Sequence, residues 1–163
     1  MGIEDLNHID YYIVEFKFAE KSYFTLWYSE DKDEFYTYKG KLLSFFNRDE
    51  LVKFTQDYNL IISKEETEIR CDLILGWNID KEINYEHIID FWNICTDLAY
   101  SIDANFLGVN NEFKGIYNKL FHSCKLPMQV FGLEAVSSKW LREELQLLQM
   151  ILCDGIFMVE KNL

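Results

Sequence analysis

The chain has 163 residues, 49% of them hydrophobic and 17% aromatic, with 28 acidic residues against 16 Lys and Arg and a net charge of −12. That composition excludes a disordered chain, and the length suits one globular domain, residues 1–163, with a core that needs no staples. The negative charge argues against direct binding to nucleic acid or to an anionic membrane, since a phosphate surface needs cations that this chain lacks.

The first residues, MGIEDLNHID, have neither a basic stretch nor an apolar one and do not read as a signal peptide. Apolar runs are short throughout, far from the ~20 residues of a membrane span. The chain is therefore expected to be cytoplasmic and soluble. Cys71, Cys95, Cys124 and Cys153 lie 24 to 29 residues apart and have no CxxC spacing. They read as small buried hydrophobes kept reduced, not as a zinc site.

In chain order, YYIVEFKF sets Ile13, Glu15 and Lys17 against Tyr12, Val14, Phe16 and Phe18, the period of two of a half-buried strand. SYFTLWYS is β-branched and aromatic. SEDKDE makes a polar turn, and FYTYKGKLLSFF resumes the pattern around Gly40. Three such runs joined by short turns predict an antiparallel meander, because parallel strands need long crossovers. NRDE then starts a helix: Asn47 caps it, Glu50 follows three residues later, and Leu51, Phe54, Thr55 and Tyr58 form the inward stripe. Asn59 is a left-handed stop. KEETE reads as a charged loop and EIRCDLILGW as a further strand.

From Asn84 the period becomes helical. Ile88, Phe91, Trp92, Cys95, Leu98, Ala99 and Ile102 form one stripe, and Phe113, Ile116, Tyr117, Leu120, Phe121 and Cys124 a second, separated by Gly108 and Val109 and ended by Pro127. A last helix is predicted from Ser137 or Ser138, burying Leu141, Leu145, Leu148, Leu152, Ile156 and Val159. Gly155 lies inside this run at a cost of about 1 kcal/mol relative to Ala. It is a candidate stop, which would leave IFMV as a final strand. The expected fold class is α+β: an N-terminal, mostly antiparallel sheet with three or four helices packed on one face.

Chemistry is sparse. His8, His87 and His122 form no HExxH, HxH or triad pattern, and glycine-rich phosphate loops and GxSxG are missing. Glu65, Glu66 and Glu68 invite a divalent cation, but without an EF-hand pattern they read as a solvated run. No catalytic residue, metal or cofactor is assigned. The crowded aromatics Tyr23, Phe24, Trp27, Tyr28, Phe35, Tyr36 and Tyr38 fit core plus a protein interface better than base stacking, which also needs a cationic groove.

Charge placement is more informative. Residues 61–105 carry 10 acids and 3 bases, net −7, whereas residues 106–163 carry 6 of each. Opposite the apolar stripe of the Asn84 helix stand Glu86, Asp90, Asn93, Asp97 and Ser101, and no Lys or Arg occurs between Glu82 and Asp103. Helices ordinarily mix lysines with their acids, since like charges four apart are destabilising. One reading is a solubility device; the other is a docking face for a basic partner. On the docking reading Asp80, Glu82, Glu86, Asp90 and Asp97 make the contacts, with Glu65, Glu66 and Glu68 adding charge. Trp77 and Tyr85, or exposed members of the Trp27/Tyr28 strand, supply the aromatic anchor.

The stretch LLSFFNRDELVKFTQDYNL, and CDLILGWN followed by IIDFWNICTDLAYSID, resemble segments of the immunity proteins encoded next to bacterial toxins in contact-dependent growth inhibition and other polymorphic-toxin systems. The likeness spans roughly residues 42–103. It implies a non-catalytic, cytoplasmic, monomeric or weakly dimeric inhibitor that binds a cognate toxin stoichiometrically, often a nuclease with a basic groove. Two alternatives stay open: a regulatory or adaptor module for another basic protein, and an enzyme using a carboxylate pair or metal around Glu65–Asp72.

Overall fold

The computed structural model describes residues 9–124 and 139–163. Strand β1 (Asp10–Lys17) pairs antiparallel with β2 (Ser22–Ser29), which pairs antiparallel with the short β3 (Asp33–Phe35). This is the expected meander. A small hairpin follows, β4 (Thr37–Tyr38) and β5 (Lys41–Leu42). Its two central residues, Lys39 and Gly40, both have positive φ (53° and 78°), so its twist matches that of its strands. Helix α1 (Arg48–Asp57) starts where Asn47 Oδ1 accepts from the Glu50 N–H (2.8 Å) and ends before Asn59 at φ 55°, as the capping residues predict.

The next element departs from expectation. KEETE is not a loop: it lies inside strand β6 (Ile61–Arg70), which runs parallel to β1 and completes a sheet of order β3-β2-β1-β6. The stretch after it, expected to be strand, is helix α2 (Cys71–Gly76). Cys71 and Ile74, three apart, are buried while Leu73 and Leu75 are exposed, a one-turn helical pattern that a short apolar run does not distinguish from a strand. The parallel pairing is possible because the hairpin and α1 supply the crossover. Between Tyr11 and Ile13 the partner advances from Ile62 to Glu66, so β6 bulges at Ser63–Glu65.

The sheet is covered on both faces, not one. Ile13 and Leu26 are closed over by Leu51 of α1, with Tyr11, Phe24, Tyr36 and Phe45 around them. On the other face Val14, Phe16, Phe35 and Ile69 meet α2, helix α3 (Tyr85–Ile102) and helix α5 (Arg142–Asn162) in the main core. Two 3₁₀ turns, Leu107–Val109 and Asn111–Phe113, lead into α4 (Lys114–Ser123). The α3 stripe is buried as predicted, apart from a half-buried Ile102.

Helix α5 runs straight through Gly155, so IFMV is helical and no final strand forms there. Gly155 is buried because α3 lies against it: a Cβ there would sit 2.9 Å from Phe91 Cε1 and 3.0 Å from Cys95 Sγ. The glycine is a packing requirement, and its helical cost is offset by the close approach it permits. Leu148, Leu152, Ile156 and Val159 are buried as expected, but Leu141 is exposed, since it precedes the helix and caps nothing apolar. The expected start at Ser137 or Ser138 and the stop at Pro127 lie outside the described residues. Cys71 and Cys95 are buried, Cys124 is half-buried, and Cys153 is exposed on the outer face of α5, contrary to its expected burial. Among the described residues no helix is long and apolar enough to cross a membrane.

Replacing Gly155 by Ala is expected to destabilise the fold by about 1–3 kcal/mol in urea unfolding, because Phe91 and Cys95 have no exposed side to move towards. Gly115→Ala in α4, where nothing lies within 4 Å of the added methyl, is the control and is expected to hold or raise stability.

Candidate partner-binding face

The charged middle of the chain folds around the junction of α2 and α3. Residues 77–84 link the two helices and are pinned from inside. The Trp77 backbone N–H donates to Ile74 O, and the indole Nε1 donates to Glu82 O at 3.2 Å. Asn78 Oδ1 accepts from the Asp80 N–H at 2.9 Å, and Lys81 Nζ donates to Gly76 O at 2.6 Å, at the C-terminal end of α2. Asn84 caps α3 by accepting from the His87 N–H. His87 Nε2 lies 3.1 Å from Arg70 O, tying α3 to the end of β6. A loop so fixed holds Asp80 and Glu82 outward on a rigid frame.

Beside that loop lies a cleft of about 320 Å³ with an apolar floor of Leu73, Ile74, Trp77 and Ile88. Asp72, Lys81, Glu82 and His87 stand at its rim. Leu73 is 50% exposed and its neighbour Leu75 54%. Exposed Glu86 and Asp90 continue the negative edge along the first half of α3. Burial raises the Asp90 carboxyl above its ordinary value, Glu86 adds to this, and His87 opposes it. Asp80, Glu82, Glu86 and Asp90 form no ion pair with a described Lys or Arg.

The remaining site candidates fall elsewhere. Asp97 leaves the outward line: it is half-buried, and Oδ2 accepts from Trp27 Nε1 of β2 at 3.0 Å. Its neighbour Ser101 is likewise turned to the sheet, accepting from the Phe35 N–H at 2.8 Å and donating to Asp97 O. The acidic line is therefore continuous only over the first half of α3, because the second half crosses the β2–β3 edge. Trp27 is used up in this contact, and Tyr28 donates to Glu34. Trp77 is buried as the cleft floor, and the hydroxyl of half-buried Tyr85 accepts from Trp140 Nε1, so both aromatics support the face from beneath. Leu73 and Leu75, which the sequence reading placed in a strand, are the exposed apolar groups instead. The six residues of CDLILG are too few for helical spacing to signal them.

Glu65, Glu66 and Glu68 stand on the edge strand β6. Glu66 is paired with Arg48 of α1, and Glu68 lies 3.9 Å from both Lys17 and Arg70. Arg70 also grips Asp72 in a two-point contact of 2.9 and 2.7 Å. Glu66 and Glu68 are thus neutralised by the sheet's own ion pairs, whereas Glu65 forms no ion pair with a described residue. No three His, Cys, Asp or Glu among the described residues converge as metal ligands.

Asp97 gives the fold a pH dependence of defined sign. Desolvation pushes its carboxyl up to about 6 from an ordinary 3.8, Asp33 adds to the rise, and the Trp27 hydrogen bond reduces it. The native state therefore takes up the proton before the unfolded chain does as pH falls. The charged form opposes folding at neutral pH, and stability from this group rises between about pH 7 and pH 4. Asp97→Asn keeps an oxygen for Trp27 and is expected to be more stable than the parent at pH 7, with the gap closing by about pH 4; urea midpoints at the two pH values measure it.

No family model, curated protein or solved structure matches this chain.

Proposed function

We propose that the chain is an immunity protein: it binds a cognate bacterial toxin, a basic nuclease domain, and neutralises it in the cytoplasm by stoichiometric occupation, without turnover. The observation that carries this reading is the apolar cleft of Leu73, Ile74, Trp77 and Ile88 beside four acids that no described cation neutralises. A surface that binds phosphodiester must present Lys and Arg, and an unpaired acidic edge is its electrostatic complement. Rim charges alone add little affinity, whereas an apolar anchor at the centre of such a rim supplies most of it. Leu73, half-exposed on α2 at the cleft, offers that anchor.

The division of labour is kinetic. Charge complementarity raises the association rate by one to three powers of ten, and the apolar centre sets the dissociation rate. An inhibitor that must capture a toxin before it reaches its substrate gains from both.

Co-expression with the product of the neighbouring upstream gene is expected to restore growth, and the two chains are expected to co-purify one to one. Glu86→Lys with Asp90→Lys is expected to slow association about tenfold at low salt and to flatten its salt dependence. Leu73→Asp is expected to speed dissociation with little change in the on-rate. Toxicity undiminished by the chain, or association kinetics indifferent to both ionic strength and the charge reversal, contradicts the proposal; capture of a basic protein with no toxicity of its own makes the chain an adaptor.

A further inference from the structure

Helix α5 is apolar on two sides. One side forms the core through Leu148, Ile151, Leu152, Gly155, Ile156 and Val159. The other, turned away from the core, carries Leu147, Met150 and Phe157, which are 37%, 45% and 66% exposed. These three fall in a seam with steps of four and three: Glu143, Leu147, Met150, Asp154, Phe157, Lys161. Alternating steps of four and three are the spacing by which one helix presents a face to another. Single exposed apolar residues need no explanation, but an ordered row of three along a 21-residue helix does.

We propose that a second copy of this chain docks on the outer face of α5, the two helices antiparallel about a two-fold axis near Leu152. The seam is complementary to its own reverse. In that arrangement Leu147 meets Phe157 of the second copy, and Glu143 meets Lys161 of the second copy, each contact occurring twice by symmetry. Both charged residues are exposed, and neither forms an ion pair with a described residue. Met150 falls opposite Asp154, whose Oδ2 already accepts from the Leu107 N–H at 2.8 Å, so this carboxylate is held within its own copy. The antiparallel arrangement also places the Glu143 end of each helix dipole against the Lys161 end of the other.

A single helix pair about 30 Å long buries an area at the low end of specific interfaces, so the dimer is a weak one. Exposed Cys153 flanks the seam one residue from the axis, and the two copies bring their Cys153 thiols to the same side. This inference is independent of the reading of the acidic face.

Sedimentation of the full chain between about 1 and 500 µM is expected to show a reversible doubling of mass, with a dissociation constant of ~10–100 µM. Phe157→Glu alters an exposed side chain, leaves the fold intact by circular dichroism, and is expected to abolish the doubling. Glu143→Lys is expected to weaken it at least fivefold, and Glu143→Lys with Lys161→Glu to restore it, an outcome that only the antiparallel register produces. A short bismaleimide is expected to give a cross-linked dimer that Cys153→Ser eliminates. A chain monomeric at 500 µM overturns the proposal, including the case in which residues 125–138 of the same chain occupy the seam. So does a dimer that survives Phe157→Glu, or a charge swap that fails to restore association.

Discussion

The close approach of α3 to its neighbours on three sides governs both the stability of this fold and the character of its surface. Gly155 lets α5 come within van der Waals range of Phe91 and Cys95. The sheet meets the second half of α3 through Trp27 and Phe35, and α4 holds its middle through the Tyr117 hydroxyl, which donates to Asn93 Oδ1 at 2.7 Å. At the start of the helix, Tyr85 is fixed by Trp140, and Lys119 lies 4.8 Å above the Trp140 ring while also pairing with Glu144. A helix surrounded in this way has one free edge, and whatever charge it carries outward must be carried there.

That confinement explains why two acids of one predicted line behave so differently. Asp97 stands where the sheet crosses α3 and loses hydration, for which a single indole N–H compensates incompletely; its carboxyl is accordingly driven up to about 6. Glu86 stays exposed to water. A half-buried carboxylate with a neutral partner is a local conflict that a structural optimum would not contain. Here it marks the point at which an outward-reading pattern meets the edge of the sheet.

Much of the architecture was legible from local signals. Asn47 announced one helix start through a side chain that satisfies a free N–H group, the change of period at Asn84 announced another, and the period of two in YYIVEFKF announced β1. What escaped the sequence was set by non-local contacts. KEETE has the composition of a loop, yet β1 recruits it as an edge strand by backbone pairing, which composition does not report. Gly155 looked like a stop because propensity sees a missing side chain and not the ring of Phe91 lying where that side chain would be. The acidic edge was half legible: the spacing on α3 identified Glu86 and Asp90, but the fate of Asp97 depended on which strand the helix crosses. Leu73 and Leu75 were hidden for a simpler reason, that CDLILG is too short to display a period.

The distribution of ion pairs bears on whether the negative charge is a coat or a face. Some described acids have cations brought to them: Glu66 has Arg48, Glu68 has Lys17 and Arg70, Asp72 has Arg70, and Glu144 has Lys119, whereas Asp33 and Glu34 of β3, Glu65 of β6 and Glu143 of α5 form no ion pair with a described residue. The β2–β3 turn is acidic as well, but Lys32 stands among its carboxylates and is held 4.4 Å above the Tyr100 ring. At the α2–α3 junction the one nearby lysine, Lys81, is spent on the carbonyl of Gly76. What sets the α2–α3 junction apart is not the lack of ion pairs, which it shares with β3 and with Glu65 and Glu143, but the apolar cleft that its acids border. Unpaired acids next to the exposed Leu73 cost stability on both counts, through unrelieved repulsion and through apolar surface left in water. A cationic surface with an apolar centre, the partner proposed above, would relieve both together.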